Sequence, residues 1–133
     1  MTFLLIIIYF SFISLGLPDS LLGAVWPVMQ PEFAVPIPFG GYVGMTTAFC
    51  TVISSLMAQK FHKWFGTAKI IAVSTALTAL SILGYSVVPQ FWMLFPLAVT
   101  LGLGAGAIDS ALNNYVAVHY KASHMSFLHC CWG

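Results

Sequence analysis

The sequence predicts an all-α membrane protein, with four transmembrane helices and the start of a fifth. Three observations carry that prediction. The 133 residues are 60% apolar and only 5% charged, whereas a soluble domain carries about 25% charged residues. A soluble fold of this size leaves a large share of its surface in water and could not hide so many apolar side chains. The apolar runs are continuous rather than alternating, which argues against a β-barrel. Four of them also reach the roughly 17–25 residues that a bilayer crossing requires.

The first span covers residues 3–29. Ser14-Leu15-Gly16 has the small-x-small form of a signal-peptide cleavage site. No lysine or arginine precedes the run, however, and its apolar character continues to Met29, so it reads as a span. Pro31, Pro36 and Pro38 then predict a loop over 30–38. The second span is 39–61, followed by a short basic loop over 60–67. The third is 68–88, closed by the turn Val88-Pro89-Gln90. The fourth is 91–118, and a helix cut short begins near 124.

Orientation follows from lysine. The cations are Lys60, Lys63, Lys69 and Lys121, and the chain has no arginine. Three sit between spans two and three and one follows span four, so all fall on the same side. The positive-inside rule makes that side cytoplasmic, with the N-terminus inside and Glu32 outside. Trp26 and Trp92 are placed at the outer interface and Trp64 at the inner one, as an aromatic belt would have them. The expected location is the cell (inner or plasma) membrane, and the bilayer is the first partner.

Asp19 and Asp109 are the informative residues. Each lies inside a span, and an ionised carboxylate at that depth costs several kcal/mol unless it is paired, hydrated or able to take up a proton. Gly16, Ser20 and Gly23 share a face of span one and would admit a close helix, with Asp19 beside them pointing into protein or a cavity. Pro18 removes one helical hydrogen bond there. In span four, Gly102 and Gly106 form a small-xxx-small pair. Gly106, Asp109, Ser110 and Asn113 follow at helical spacing, a polar wall suited to a hydroxylated solute. Asn113 and Asn114 also have the plainer reading of interhelical hydrogen bonding. The stripe Ser74, Thr78, Ser81 and Tyr85 reads as helix packing. Gly16-x-x-Asp19-Ser20-x-Leu22 echoes Gly106-x-x-Asp109-Ser110-x-Leu112, as the leading helices of inverted repeats would.

An enzyme is not expected. No Ser/His/Asp set shares one depth, and His119, His124 and His129 are spaced to scatter around a helix. The odd cysteine count, Cys50, Cys130 and Cys131, gives no disulfide framework. The glycines at 102–106 follow no strand, so no dinucleotide, metal or other cofactor is expected. No basic patch points to nucleic acid.

With these residues in view, the whole chain resembles the N-terminal part of a major facilitator superfamily transporter, in the fucose-permease-like branch of sugar–proton symporters. The resemblance rests on Ser14-Leu15-Gly16-Leu17-Pro18-Asp19-Ser20, the basic segment from Lys60 to Lys69 and Asp109-Ser110-Ala111-Leu112-Asn113-Asn114-Tyr115. It also rests on the tail from His119-Tyr120-Lys121 to His129-Cys130-Cys131-Trp132-Gly133. It implies that helices one and four line a central cavity. It further implies proton coupling at Asp19 and Asp109, and solute binding at Asp109, Asn113 and Asn114. The chain departs from the family's Gly-x-x-x-Asp-Arg-x-Gly-Arg loop: Lys63 stands at the aspartate, the first glycine is absent, and only Gly66 remains. The expected partners are a small polar solute such as a sugar, protons, and the remaining helices of the transporter. The coupling ion stays open between H⁺ and Na⁺. Two alternatives stand beside this reading: a four-helix proton-coupled exporter acting as a dimer, and a non-transporting truncated product or partner subunit.

Overall fold

Helices account for nearly all of the computed structural model, which describes residues 2–132, and no strand occurs among them. Met1 and Gly133, the latter part of the tail that carries the family resemblance, lie outside the described residues. The elements are α1 (Thr2–Phe33), α2 (Phe39–Phe65), α3 (Thr67–Val87), a 3₁₀ turn (Phe91–Met93) leading into α4 (Leu94–His119), and α5 (Ala122–Trp132). Four helices are long and apolar enough to cross a membrane. The chain is an all-α, multi-pass membrane protein.

α4 is the centre of the bundle, and its glycines explain why. A helix turns 100° per residue, so Gly102 and Gly106 share one face while Gly104 points the opposite way. A Cβ on Gly102 would sit 2.5 Å from the Thr47 carbonyl oxygen, and one on Gly106 would strike the Thr51 carbonyl. On the other side, a Cβ on Gly104 would lie 2.7 Å from Thr78 Oγ1 and 2.9 Å from the Ser74 carbonyl. α4 is therefore clamped between α2 and α3, backbone against backbone. Ser54 and Ser55 of α2 tie this seam, donating to the Leu103 carbonyl at 2.6 Å and the Gly106 carbonyl at 3.2 Å. Ser81 and Thr100 share a hydrogen bond of 2.6 Å across the α3–α4 seam. Small residues and interhelical hydroxyls are what helix association uses in lipid, where no hydrophobic drive acts between helices.

Two apolar clusters close the ends. Ile8, Phe12 and Leu15 of α1 pack on Ile108, Leu112 and Val116 of α4 and Leu128 of α5. At the opposite end Trp26, Val43, Phe91, Leu94 and Ala98 gather. The large apolar side chains left over, such as Phe3, Phe10, Leu56, Leu80 and Leu83, are exposed, as lipid-facing residues are.

Several boundaries correct the sequence expectation. α1 does not stop at residue 29 but runs through Pro27 and Pro31 to Phe33. The expected loop over 30–38 shrinks to five residues. Gln30 Nε2 donates to the Val35 carbonyl at 2.7 Å, and Ala34, at φ 50°, turns the chain out of the helix. Lys60 and Lys63 are not in a loop but in the last turns of α2, which extends to Phe65. Gly66 alone joins α2 to α3, at φ 81° and ψ 146°, a conformation that is essentially glycine-only. Trp64 and Trp92 project outward as belt residues do, but Trp26 is buried. Its indole N–H donates to the Ile37 carbonyl at 2.9 Å, and its ring lies over Gly40, where a Cβ would come within 2.5 Å. Trp26 is a core staple holding the α1–α2 connection, not an interface anchor.

Candidate functional site

Asp109 and Asn113 form the clearest polar feature. One turn apart on α4, they face the same way, and Asn113 Nδ2 donates to Asp109 Oδ1 at 3.0 Å. Both are half-buried. The second half of the Asn113 amide is different: its Oδ1 is buried and has no hydrogen-bond partner. Buried polar atoms of that kind are few in native proteins, and each calls for water, an ion or a ligand. His129 of α5 stands within electrostatic reach of Asp109, and its ring meets Phe12 edge-on with centroids 6.5 Å apart. Asp109 thus lies where α1, α4 and α5 converge. Ser110 is half-buried beside it. Asn114 is exposed and outside the Asp109–Asn113 pair.

Asp19 sits differently from the expectation. It follows the buried Pro18 in α1, and the side chain is exposed rather than enclosed. Pro18 has no N–H, so the Ser14 carbonyl one turn back loses its usual helical donor. Ser20 Oγ donates to the Gly16 carbonyl at 3.0 Å, folding its hydroxyl onto its own helix. At Ser20 and Gly23 the expected face is not a packing surface. Ser20 is exposed, and a Cβ on Gly23 would meet nothing within 4 Å. The physical reason is competition. α4 uses its glycines to bind α2 and α3 at backbone distance, and α1 docks instead through Ile8, Phe12 and Leu15 on another side. The echo between the two spans is therefore one of sequence, not of surroundings: Asp109 and Ser110 are half-buried, whereas Asp19 and Ser20 are exposed.

No hydrogen bond joins Asp19 to Asp109 among the described residues. Asp19 instead has a neighbour that reads from sequence as helix packing alone. The Tyr85 hydroxyl of α3 is buried near Thr47 of α2 and within reach of the Asp19 charge, without a hydrogen bond of acceptable geometry. Tyr85 ends the stripe Ser74, Thr78, Ser81, Tyr85. The first three of these pack or hydrogen-bond within the bundle, and only the fourth is left open. The only sequence signal was that a phenol caps a row of small hydroxyl residues.

His62 is a second residue missed. Both ring nitrogens are buried and unpartnered. It lies on the α2 face of Ser54, Ser55 and Ala58, the face turned to α4. α2 and α4 run in the same direction, with Thr47 beside Gly102 and Thr51 beside Gly106. Continuing that register brings His62 to the level of Ala117, about one turn beyond Asn113. The remaining histidines are engaged. His124 Nδ1 is 3.1 Å from the Tyr9 hydroxyl, and His119 stacks on Tyr115 at 4.3 Å between centroids. No group of three metal-binding side chains occurs among the described residues.

Two cavities flank α4. One, of about 380 Å³, lies between α1 and α3, with Ser11, Ser14, Thr75 and Thr78 on its walls and Ile108 as its floor. The other, of about 600 Å³, lies between α2 and α3 and is almost wholly apolar. Neither acid lines either cavity. Comparison with family models, curated proteins and solved structures finds no match to this chain. Fold and site together define a multi-pass helical membrane protein that carries carboxyl groups within two of its spans.

Proposed function

We propose that the chain is part of a major-facilitator-type transporter that carries a small polar solute, a sugar by resemblance, together with protons. The observation that supports it most is the Asp109–Asn113 pair. A carboxylate and an amide are held in hydrogen-bond contact within an apolar span, and one amide oxygen is buried and unsatisfied. A sugar hydroxyl would supply the missing donor to Asn113 Oδ1 while accepting from nothing it displaces.

Asp19 is the proton carrier in this reading. Exposed on α1 next to an unpaired phenol, it takes up a proton from the side where protons are plentiful. Neutralised, it no longer resists burial, and an opposing wall closes over proton and solute together. Rocking of one bundle against another then opens the site to the far side. The uncovered face of Asp19, Ser20 and Gly23 supports a partner segment that provides this wall.

The test is uptake of a labelled monosaccharide by cells expressing the transporter that contains the chain, under an imposed pH gradient. Asp19→Asn is expected to abolish accumulation against the gradient while sparing exchange of solute already bound. Accumulation by Asp19→Asn at the unsubstituted level would refute proton coupling at this residue.

A further inference from the structure

The larger cavity has a polarity that the transport reading does not use. α2 and α3 are joined by Gly66 alone, yet each is clamped to α4 and a cleft separates them. Met57 and Phe61 form one wall, Val73 the other, and Leu103 and Ala107 the floor. Lys69 lines the cleft at the end where α2 and α3 meet. Lys60 and Lys63, in the last turns of α2, are exposed at the same end. Lys69 is therefore the cation on the slot itself, while Lys60 and Lys63 share its end of the bundle but turn away from the α2 face of Met57, Phe61 and Phe65. Phe61, Met57 and Val73 are well exposed along it, so it opens sideways into the membrane.

Its dimensions indicate the occupant. Along α3 the lining runs from Lys69 to Leu77, about 12 Å at the rise of an α-helix. One leaflet contributes half of the roughly 30 Å hydrocarbon core. The cleft thus begins with positive charge at headgroup level and ends near the midplane, matching a single lipid of the leaflet on the lysine side. At about 600 Å³ it is in the range of small-molecule sites. Basic pockets between transmembrane helices are where anionic headgroups bind.

We infer that this cleft binds one anionic phospholipid, with its phosphate on Lys69 and an acyl chain lying between α2 and α3. The site is independent of Asp19 and Asp109 and stands or falls apart from transport.

The experiment is native mass spectrometry of the full chain, purified in detergent and exposed to equal amounts of phosphatidylglycerol and phosphatidylcholine of the same acyl chains. One phosphatidylglycerol is expected to be retained, roughly tenfold over phosphatidylcholine. Lys69→Gln should bring the two lipids to parity, while Lys60→Gln with Lys63→Gln should leave most of the preference in place. Lys121→Gln, on the same side but away from the cleft, should leave the preference intact. Val73→Phe, an exposed position whose larger ring narrows the slot, should lower retention of both lipids. Glycerol 3-phosphate, which has the anionic head without the chains, should not compete. The proposal is overturned if Lys121→Gln weakens the preference as much as Lys69→Gln does, if Val73→Phe retains lipid unchanged, or if the soluble phosphate displaces it.

Discussion

Replacing Gly102 by alanine tests the arrangement on which every statement about Asp109 depends. The added Cβ would stand 2.5 Å from the Thr47 carbonyl oxygen and 2.8 Å from Cys50 Cβ. Ordinary contact begins at 3.4 Å, so the shorter approach falls 0.9 Å short. Backbone lies on both sides of the clash, and no flexible side chain can yield. The helices must separate by nearly the whole deficit. Overpacking of this kind costs about 1–3 kcal/mol. Separation also stretches the bonds from Ser54 and Ser55 to the Leu103 and Gly106 carbonyls, each worth about 0.6 kcal/mol in a membrane bundle. The expected loss is about 2–4 kcal/mol.

The assay is reversible unfolding of the purified chain in mixed micelles with increasing SDS, followed by far-ultraviolet circular dichroism. Gly44→Ala is the control, since a Cβ there meets nothing within 4 Å and alanine is the better helix former by about 1 kcal/mol. Gly106→Ala, aimed at Thr51 on the same face, should behave as Gly102→Ala does. If Gly102→Ala and Gly106→Ala unfold at the same SDS fraction as Gly44→Ala, α4 does not meet α2 through its glycines. The placement of Asp109 and Asn113 beside that seam then fails with it.

Gly66→Ala should cost about 1–3 kcal/mol in the same assay, because φ 81° with ψ 146° is closed to a residue with a Cβ; an unchanged midpoint would contradict the one-residue link. Trp26→Phe removes the donor to the Ile37 carbonyl while keeping an aromatic ring over Gly40, and a loss of about 1 kcal/mol is expected. A lipid-facing belt residue at that position would instead tolerate the change. Asn113→Leu withdraws the donor from Asp109 and should weaken labelled-sugar binding at least tenfold while shifting the SDS midpoint little; binding at full strength would assign the pair to packing alone.

What the sequence discloses and what it hides divide along a physical line. Span number and lysine placement are properties of single segments, set by the cost of apolar and charged groups in water and lipid, and they can be read one residue at a time. Even the GxGxG of α4 discloses two faces, because helical geometry puts Gly104 opposite Gly102 and Gly106. Which partner each face meets is a property of pairs. The glycine faces of α1 and α4 look alike as strings, yet Gly102 and Gly106 of α4 meet backbone while Gly23 of α1 meets nothing within 4 Å. Trp26 belongs to the same class: its position suits an interface belt, and only the return of the chain through Ile37 and Gly40 makes it core. Prolines mislead for the opposite reason. Pro27 and Pro31 sit in α1 without ending it, because the freed carbonyls of a membrane helix can be satisfied from neighbouring groups.

The same distinction bears on the site. Asp19 and Asp109 stand out in the sequence because charge at membrane depth is costly wherever it falls. Tyr85 and His62 do not stand out, because a phenol and an imidazole are ordinary in a helix until their polar atoms are buried without partners. Each of the two helices that clamp α4 thus carries one such side chain. Tyr85 of α3 lies within reach of the Asp19 charge, and His62 of α2 continues the seam about one turn beyond Asn113. An apolar bundle that needed carboxyl groups only for packing would have satisfied these neighbours, since an unpaired buried polar group costs about 1–3 kcal/mol. The phenol near Asp19 and the Asn113 amide oxygen beside Asp109 are open in the way the proposed transport requires, where water, a proton or a solute hydroxyl comes and goes.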